Sequence, residues 1–194
     1  MKKGYRDNLI KKIKDEKNSV CHHQYRGLEY LTWVDQDKLG ILAFLGKKNK
    51  PQVYGVTRDK ERFDAYIKDL LNIADDDYAT KEARKELRAQ RKKYWVDSLE
   101  IGSILYTSWG YDQTNVSFFQ VVGRPTKYKV EFREINYNLI VSHSLSGTKS
   151  ARRDDFIGVI ECSTISENGI SCEYGYKGRL LDNDDREITC SWGR

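Results

Sequence analysis

The chain is poor in the residues that build disulfide scaffolds, metal centres and membrane spans. Its 194 residues include four cysteines, which lie far apart and form no Cys-x-x-Cys pair of the kind that indicates structural zinc. No apolar run approaches the roughly 20 residues that cross a bilayer, and the N-terminal segment lacks the apolar stretch of a secretory signal. These absences predict free thiols, no metal, and a soluble cytoplasmic protein that does not engage a membrane.

Signatures of catalysis are equally scarce. The three histidines, His22, His23 and His143, do not stand in a recognisable motif with a nucleophile or carboxylate, and no glycine-rich phosphate loop is present. Cys21 precedes two of these histidines, but adjacent side chains point in different directions, so we interpret this run as a polar junction. Asp112 could act together with Glu131 or Glu134, yet such a pair is weak evidence among 29 acidic residues. The sequence therefore predicts a non-enzymatic protein without a cofactor.

Positive charge is concentrated in the first half of the chain. Residues 1–97 carry 23 basic and 16 acidic side chains, whereas residues 98–194 carry 11 and 13. Long-range attraction follows the distribution of charge more than its total. An anionic partner is therefore expected to meet the N-terminal half.

The first half predicts helices around a few strands. Apolar periodicity indicates a helix over residues 5–17, β-rich segments follow, and Thr57 is expected to cap a second amphipathic helix. The predicted strands are residues 28–34, 39–45 and 52–56. Asp75, Asp76 and Asp77 are expected to interrupt the second helix, and Thr80 to cap a third, strongly basic helix with little apolar surface. That helix should be exposed, as a strut or as a surface for a partner.

The second half predicts an all-β domain. Turn residues separate short β-rich segments without helical periodicity, and their order is typical of a small SH3-like barrel. The predicted segments are residues 102–109, 116–123, 127–135, 139–141, 156–162, 169–174 and 187–192. The fold class is therefore α+β: an N-terminal ββ(β)α domain over residues 1–77, a basic connecting helix over 78–97 and a C-terminal barrel over 98–194.

The octapeptide SWGYDQTN, residues 108–115, is the most unusual stretch of the chain. In one interpretation Trp109 anchors the core, Gly110 supplies unusual dihedral angles, and the following polar side chains bond their own backbone. In the other, the stretch offers donors, acceptors and a stacking face for a base or another polar ligand. The candidate binding residues are Ser108, Trp109, Tyr111, Asp112, Gln113, Thr114 and Asn115.

The segment IGSILYTSWGYDQTNVSFFQVV closely resembles an uncharacterised family of small proteins from plasmids, phages and other mobile elements. Members share a GDxLxSSWGYDQTNVDFYxVV-like signature, and upstream AFLGKKNKPQVYGVTRDKERFDAYI is similar to the family's AFxGKxxKPxxxYxF segment. The likeness spans roughly residues 28 to 135. Ser103 stands where the family has Asp, and residues 117–119 read Ser-Phe-Phe where Asp-Phe-Tyr is usual. The resemblance implies a mobile-element context and no particular activity.

Two functions of different class remain open. In the first, the protein is a nucleic-acid-binding accessory factor of a mobile element, with DNA or RNA bound through basic side chains and selected by the SWGYDQTN stretch. The expected phosphate contacts are Lys47, Lys48, Lys50, Arg84, Lys85, Arg88, Arg91 and Lys92. In the second, the same aromatic residues anchor a protein partner, for example in an inhibitor of a host defence complex of the anti-CRISPR type.

Overall fold

Two α-helices and two antiparallel sheets make up the part of the chain that the structure, a computed structural model, describes: residues 4–183 and 185–192. The α+β fold class is thereby confirmed. The chain divides into two compact units, unit 1 over residues 1–85 and unit 2 over residues 86–194. Within the described residues, neither helix is long and apolar enough to cross a membrane.

Unit 1 contains a four-stranded meander and one short helix. Helix α1 (Tyr5–Glu16) precedes strands β1 (Cys21–Tyr25), β2 (Leu28–Asp35), β3 (Lys38–Leu45) and β4 (Val53–Thr57), which pair in the order β1-β2-β3-β4. The three predicted strands are confirmed as β2, β3 and β4. The Cys21-His22-His23 run, interpreted above as a polar junction, forms most of β1. This edge strand has mostly exposed side chains, so it carries no hydrophobic alternation that the sequence could reveal.

The central strand β3 is buried on both faces, which explains its unbroken apolar sequence. One face packs Ile41 and Ala43 against Phe63 and Leu70 of the second helix. The opposite face packs Leu42 and Phe44 against Ile13 of α1. Unit 1 is therefore a sheet covered by a helix on each side.

Helix α2 (Lys60–Ser98) is continuous for 39 residues. The predicted interruption at Asp75–Asp77 and the predicted cap at Thr80 are wrong, because the helix contains neither glycine nor proline and the acidic run forms ion pairs instead. Asp75 pairs with Arg26 at 2.9 Å, and Asp77 pairs with Lys81 one turn later at 2.5 Å. The N-cap of α2 is Asp59 rather than the predicted Thr57, and its Oδ1 accepts the Arg62 N–H at 3.0 Å.

The division between the units falls inside α2, between Lys85 and Glu86. The sequence instead predicts a separate connecting segment over residues 78–97. No break in the helix marks either end of that segment, since α2 runs from Lys60 to Ser98.

Unit 2 is built on a six-stranded antiparallel sheet. Its strands are β5 (Ile104–Trp109), β6 (Asn115–Thr126), β7 (Lys129–His143), β8 (Ser146–Thr164), β9 (Arg179–Leu180) and β10 (Ile188–Ser191), in the order β10-β8-β7-β6-β5-β9. The predicted strands over residues 127–135 and 139–141 belong to one strand, β7. The polar stretch between them, residues 136–138, stays in the strand because β8 pairs with β7 along most of its length. The predicted strand over residues 169–174 is wrong, since this stretch forms isolated bridges and the start of a short 3-10 helix (Glu173–Gly175).

The sheet of unit 2 is curled into a half-barrel. Leu105 and Phe119 on one face pack with Val96 near the end of α2. Ile104 and Phe118 on the opposite face pack with side chains of β8 and β10, so the sheet covers its own second face. The curl also brings Ser191 in β10 to the start of β6, where its N–H donates to the Thr114 carbonyl at 3.0 Å.

Candidate functional site

The bend between β5 and β6 requires a glycine at its first position. Gly110 has φ +123°, in the region that favours glycine, and a Cβ atom there would lie 2.0 Å from the carbonyl oxygen of Gln113. The prediction of an unusual backbone conformation at Gly110 is confirmed. The close approach of these two backbone segments makes the turn tight.

Both ends of this bend are fixed to the rest of unit 2. At one end the Trp109 ring stacks on Tyr176, with centroids 5.9 Å apart and planes 17° from parallel. At the other end the Thr114 N–H donates to the carbonyl and hydroxyl oxygens of Ser191, at 3.1 Å and 2.9 Å. Trp109 and Thr114 therefore hold the bend in place, through long-range partners rather than through the local backbone bonds expected from the sequence.

Between these anchors the bend is open to solvent. Tyr111 is 100 % exposed, and Asp112 and Gln113 are also exposed. The Gln113 side-chain amide donates to Asn115 Oδ1 at 3.4 Å. Within the described part of the chain, the Asp112 carboxylate forms no ion pair. The exposed residues are thus Tyr111, Asp112 and Gln113, with Ser108 exposed on the adjoining strand, so the bend satisfies the accessibility that a binding role needs.

The basic segment of α2 is exposed, as predicted. From Lys81 to Lys93 it carries seven lysine and arginine side chains and two glutamates. Two of the predicted phosphate contacts have weak partners: Arg88 lies 3.3 Å from Glu167, and Lys85 lies 3.7 Å from Glu82. Exposed pairs of this kind contribute little, so an incoming phosphate could replace the carboxylate.

The predicted phosphate contacts are divided between the two units. Lys47, Lys48 and Lys50 lie in the connection from β3 to β4 of unit 1, which also contains Arg84 and Lys85. Arg88, Arg91 and Lys92 belong to unit 2. This second group belongs to the same unit as the sheet that carries the bend.

A groove along the unit 2 part of α2 joins basic side chains to an aromatic ring. We call it the α2 groove; it has a volume of about 350 Å³. Tyr128, in the turn from β6 to β7, is 47 % exposed and has the ammonium groups of Lys92 and Lys127 at 4.6 and 5.8 Å from its ring centroid. The lining residues are Ala89, Lys92, Lys93, Val96, Asp97, Lys127 and Tyr128.

A second, wider depression lies on another side of the same helix segment. Its volume is about 620 Å³, and Arg88, Lys92 and Lys177 supply its positive charge while Glu167 supplies negative charge. Lys92 lines both depressions. Positive side chains therefore surround the helix from Arg88 to Lys93 on more than one side.

Tyr128, Lys127 and Lys177 were not among the residues that sequence reasoning selected. The sequence places Lys127 and Tyr128 in a short polar turn, where neither residue type is unusual. They line depressions along α2 because the sheet packs against this helix, with Val96 buried in the shared core. The one sequence feature that could indicate a binding turn is the alternation of lysine and tyrosine in TKYK, residues 126–129.

The bend and the α2 groove lie at opposite ends of β6. Asn115 begins this strand at the bend, and Thr126 ends it next to the Tyr128 turn. At about 3.3 Å per residue the strand separates them by up to about 35 Å along its path. The two features are therefore distinct surfaces rather than parts of one pocket.

The titratable groups that the structure describes do not gather into a metal centre. Within residues 4–183 and 185–192, no three histidine, cysteine or acidic side chains cluster in a way that could hold a metal ion. His22 instead contacts Glu29 at 2.7 Å, and the adjacent His23 contacts Thr32 at 3.2 Å and stacks on Tyr30. His22 and His23 thus each have their own partners.

One acidic side chain of unit 2 is electrostatically perturbed. Partial burial, followed by the nearby charges of Glu173 and Glu161, raises the pKa of Glu134. Ser117 donates a hydrogen bond to Glu173 at 3.1 Å in the same region. This cluster of carboxylates makes stability depend on the ionisation of Glu134.

Comparison with known proteins adds no relative: no family model matches the chain, and neither the curated proteins nor the solved structures give a match.

Proposed function

We propose that the protein is a non-enzymatic nucleic-acid-binding protein and that the α2 groove is its principal contact surface. The observation that carries this proposal is the half-exposed Tyr128 ring, flanked by Lys92 and Lys127, beside the most basic segment of the chain. The role as an accessory factor of a mobile element follows from the family resemblance alone.

Charge supports a contact with phosphates. Arg88, Arg91, Lys92 and Lys93 stand on one exposed helix segment, and Lys127 extends the positive surface across the groove. Lysine and arginine contacts to phosphate release counterions from the nucleic acid, so such a surface binds with little sequence preference and with strong dependence on salt.

The tyrosine supports a strand with accessible bases. A base can stack on an exposed aromatic ring only when it is not enclosed in a duplex, and each such contact contributes about 1–3 kcal/mol. The ammonium groups over Tyr128 belong to flexible side chains that can turn from the ring to the phosphates. The groove is therefore suited to single-stranded DNA or RNA.

The bend supplies a second contact on the same partner. A double helix rises about 3.4 Å per base pair, so the length of β6 corresponds to about ten base pairs or to a comparable stretch of single strand. The curled sheet supports the interpretation of unit 2 as an SH3-like barrel, in which the loop after the first strand contacts the ligand. That loop is the bend, with Tyr111, Asp112 and Gln113 at its exposed part.

The test compares two tyrosines in the full-length protein. Tyr128→Ala should weaken binding of a fluorescent single-stranded oligonucleotide about tenfold, because it removes one stacking contact. Tyr137→Ala is the matched control, since Tyr137 is 40 % exposed and has the Lys149 ammonium 3.8 Å from its ring centroid but lies outside the groove. Fluorescence anisotropy measures both. Equal affinity of the Tyr128→Ala variant and the unaltered protein would refute the assignment of the groove.

A protein-interaction role, as in an inhibitor of a host defence complex, is the second candidate. It is favoured by the exposed apolar end of β7, where Leu139, Ile140 and Val141 are each about half exposed or more. Exposed apolar clusters and aromatic residues are typical of protein interfaces. Tight binding to a host protein, together with no measurable affinity for any oligonucleotide, would select this function over the first.

A further inference from the structure

Unit 1 contains a cleft that shares no lining residue with the α2 groove. The cleft has a volume of about 730 Å³, within the range of roughly 300–1,000 Å³ that is usual for small-molecule sites. Four separate segments line it: α1, the β1–β2 hairpin, the β3–β4 connection and α2. Each contributes a positive side chain, and the four are Arg6, Arg26, Lys47 and Lys81.

Backbone contacts between two turns shape the cleft. Arg26 and Gly27 form a two-residue hairpin turn with φ values of 43° and 83°, as a type I′ turn requires. The Gly46 N–H donates to the Gly27 carbonyl at 2.8 Å, which ties the β3–β4 connection to the hairpin. The wall that carries Arg26 is thereby fixed to the wall that carries Lys47.

Arg6 neutralises the one acidic side chain that lines the cleft. Its Nε donates to Glu29 Oε2 at 2.8 Å, and its Nη1 donates to the Gly46 carbonyl at 2.5 Å. Burial raises the pKa of Glu29, but its hydrogen bonds to Arg6 and His22 outweigh this effect and lower it overall. Glu29 therefore stays ionised and paired at neutral pH, and its charge is already compensated.

Two lysines lie at the same turn, Lys81 with one carboxylate partner and Lys47 with none among the described residues. The Lys81 Nζ lies 3.9 Å from the position that a Cβ atom on Gly46 would occupy. Its ammonium group pairs at 2.5 Å with the half-buried Asp77 carboxylate, one helical turn away, so a phosphate group would have to compete with this carboxylate. Lys47 follows Gly46 directly and forms no ion pair within the described residues.

The aromatic side of the cleft is formed around Arg26. Its guanidinium lies 5.5 Å from the ring centroid of Tyr25 and 5.1 Å from that of Tyr78, and it pairs with Asp75 at 2.9 Å. Tyr25 is partly exposed and lines the cleft. A planar group held near the lysines could therefore lie against an aromatic ring.

We propose that this cleft binds a phosphate-bearing ligand of about nucleotide size, with Lys47 and Lys81 on the phosphate groups. Charge-assisted contacts of a phosphate group with both lysines would compete with the single Lys81–Asp77 pair. A free nucleotide and the phosphodiester backbone of a nucleic acid share this chemistry. The site does not depend on the α2 groove, because all of its residues belong to unit 1.

The test is calorimetric titration of the full-length protein at low salt with three probes: inorganic triphosphate, ATP and a short mixed-sequence DNA strand. Lys47→Gln and Lys81→Gln should each weaken binding about fivefold, and the double variant should weaken it about twentyfold or more. The matched control is Lys11→Gln, which removes an exposed lysine of unit 1 that neither lines the cleft nor belongs to the expected phosphate contacts. Circular dichroism checks that each variant is folded.

The probes also identify the source of the phosphate. Triphosphate or ATP affinity that falls in the cleft variants and is unchanged in Tyr128→Ala supports a free phosphate ligand, with tighter ATP binding indicating a contact to the base. A selective effect of Lys47→Gln and Lys81→Gln on the DNA strand alone supports the backbone phosphates. The proposal is overturned if none of the three probes binds, or if Lys11→Gln weakens binding as much as the cleft variants do.

Discussion

Replacement of Gly110 by alanine should be among the most damaging single changes in unit 2. The added Cβ would lie 2.0 Å from the Gln113 carbonyl oxygen, and the residue would have to keep φ near +123°. Backbone strain of this type costs about 1–3 kcal/mol, and an unrelieved clash adds about the same amount. We expect the free energy of unfolding to fall by about 3 kcal/mol.

The matched control is Gly175→Ala. Gly175 also has a positive φ, +79°, but a Cβ atom there would meet nothing within 4 Å. This variant should lose only about 1 kcal/mol, the usual cost of a left-handed conformation for an L-residue. The difference between the two variants therefore measures the clash with Gln113 together with the extra backbone strain at φ +123°.

Urea denaturation followed by tryptophan fluorescence can measure both changes. Trp95, Trp109 and Trp192 are in unit 2, so three of the four tryptophans report on this unit. If Gly110→Ala is no less stable than Gly175→Ala, the tight closure of the bend is refuted.

Two further predictions concern titratable groups of the chain. The folded-state pKa of Glu134 is raised above that of an ordinary glutamate, so its ionisation costs stability as the pH rises through that pKa. Glu134→Gln should therefore raise the melting temperature more at pH 7 than at pH 4, and an equal change at both pH values would contradict this. The four thiols should react in two classes, because burial raises the pKa of Cys172 to about 12. Cys21 and Cys162 are exposed, whereas Cys172 and Cys190 are buried. Maleimide should therefore label two thiols of the native protein rapidly. Rapid labelling of all four would contradict the described burial.

The sequence predicts best the elements whose hydrophobic pattern is decided locally. Strand β3 is one example, because an apolar run of this length next to a turn indicates a strand buried on both faces. The first half of α2 is another, with Phe63 and Leu70 on one side of the helix. The edge strand β1 escaped prediction because its side chains are mostly exposed and carry no pattern.

Other features depend on partners far away in the chain. The three aspartates at 75–77 indicate a break when they are considered alone, but Arg26, 49 residues from Asp75, pairs with the first of them. The sequence alone marks the bend as unusual, but it does not reveal the hydrogen bond from Thr114 to Ser191, because 77 residues separate the two. Tyr128 lines the α2 groove only because the sheet packs against the helix beside it.

The salt dependence of oligonucleotide affinity tests the proposed function most directly. Arg88→Gln, Arg91→Gln and Lys92→Gln combined should reduce the slope of log affinity against log salt by about 2, because each phosphate contact to a single strand contributes about 0.7. A control that removes the same charge from exposed sites of unit 1, Lys11, Lys12 and Lys38, should leave the slope unchanged.

Anisotropy of a labelled single strand, measured from about 50 to 200 mM salt, gives these slopes. The proposed function predicts a steep slope for the unaltered protein and a shallower one only for the α2 variant. An affinity that barely changes with salt, or equal slopes for all three proteins, would contradict it.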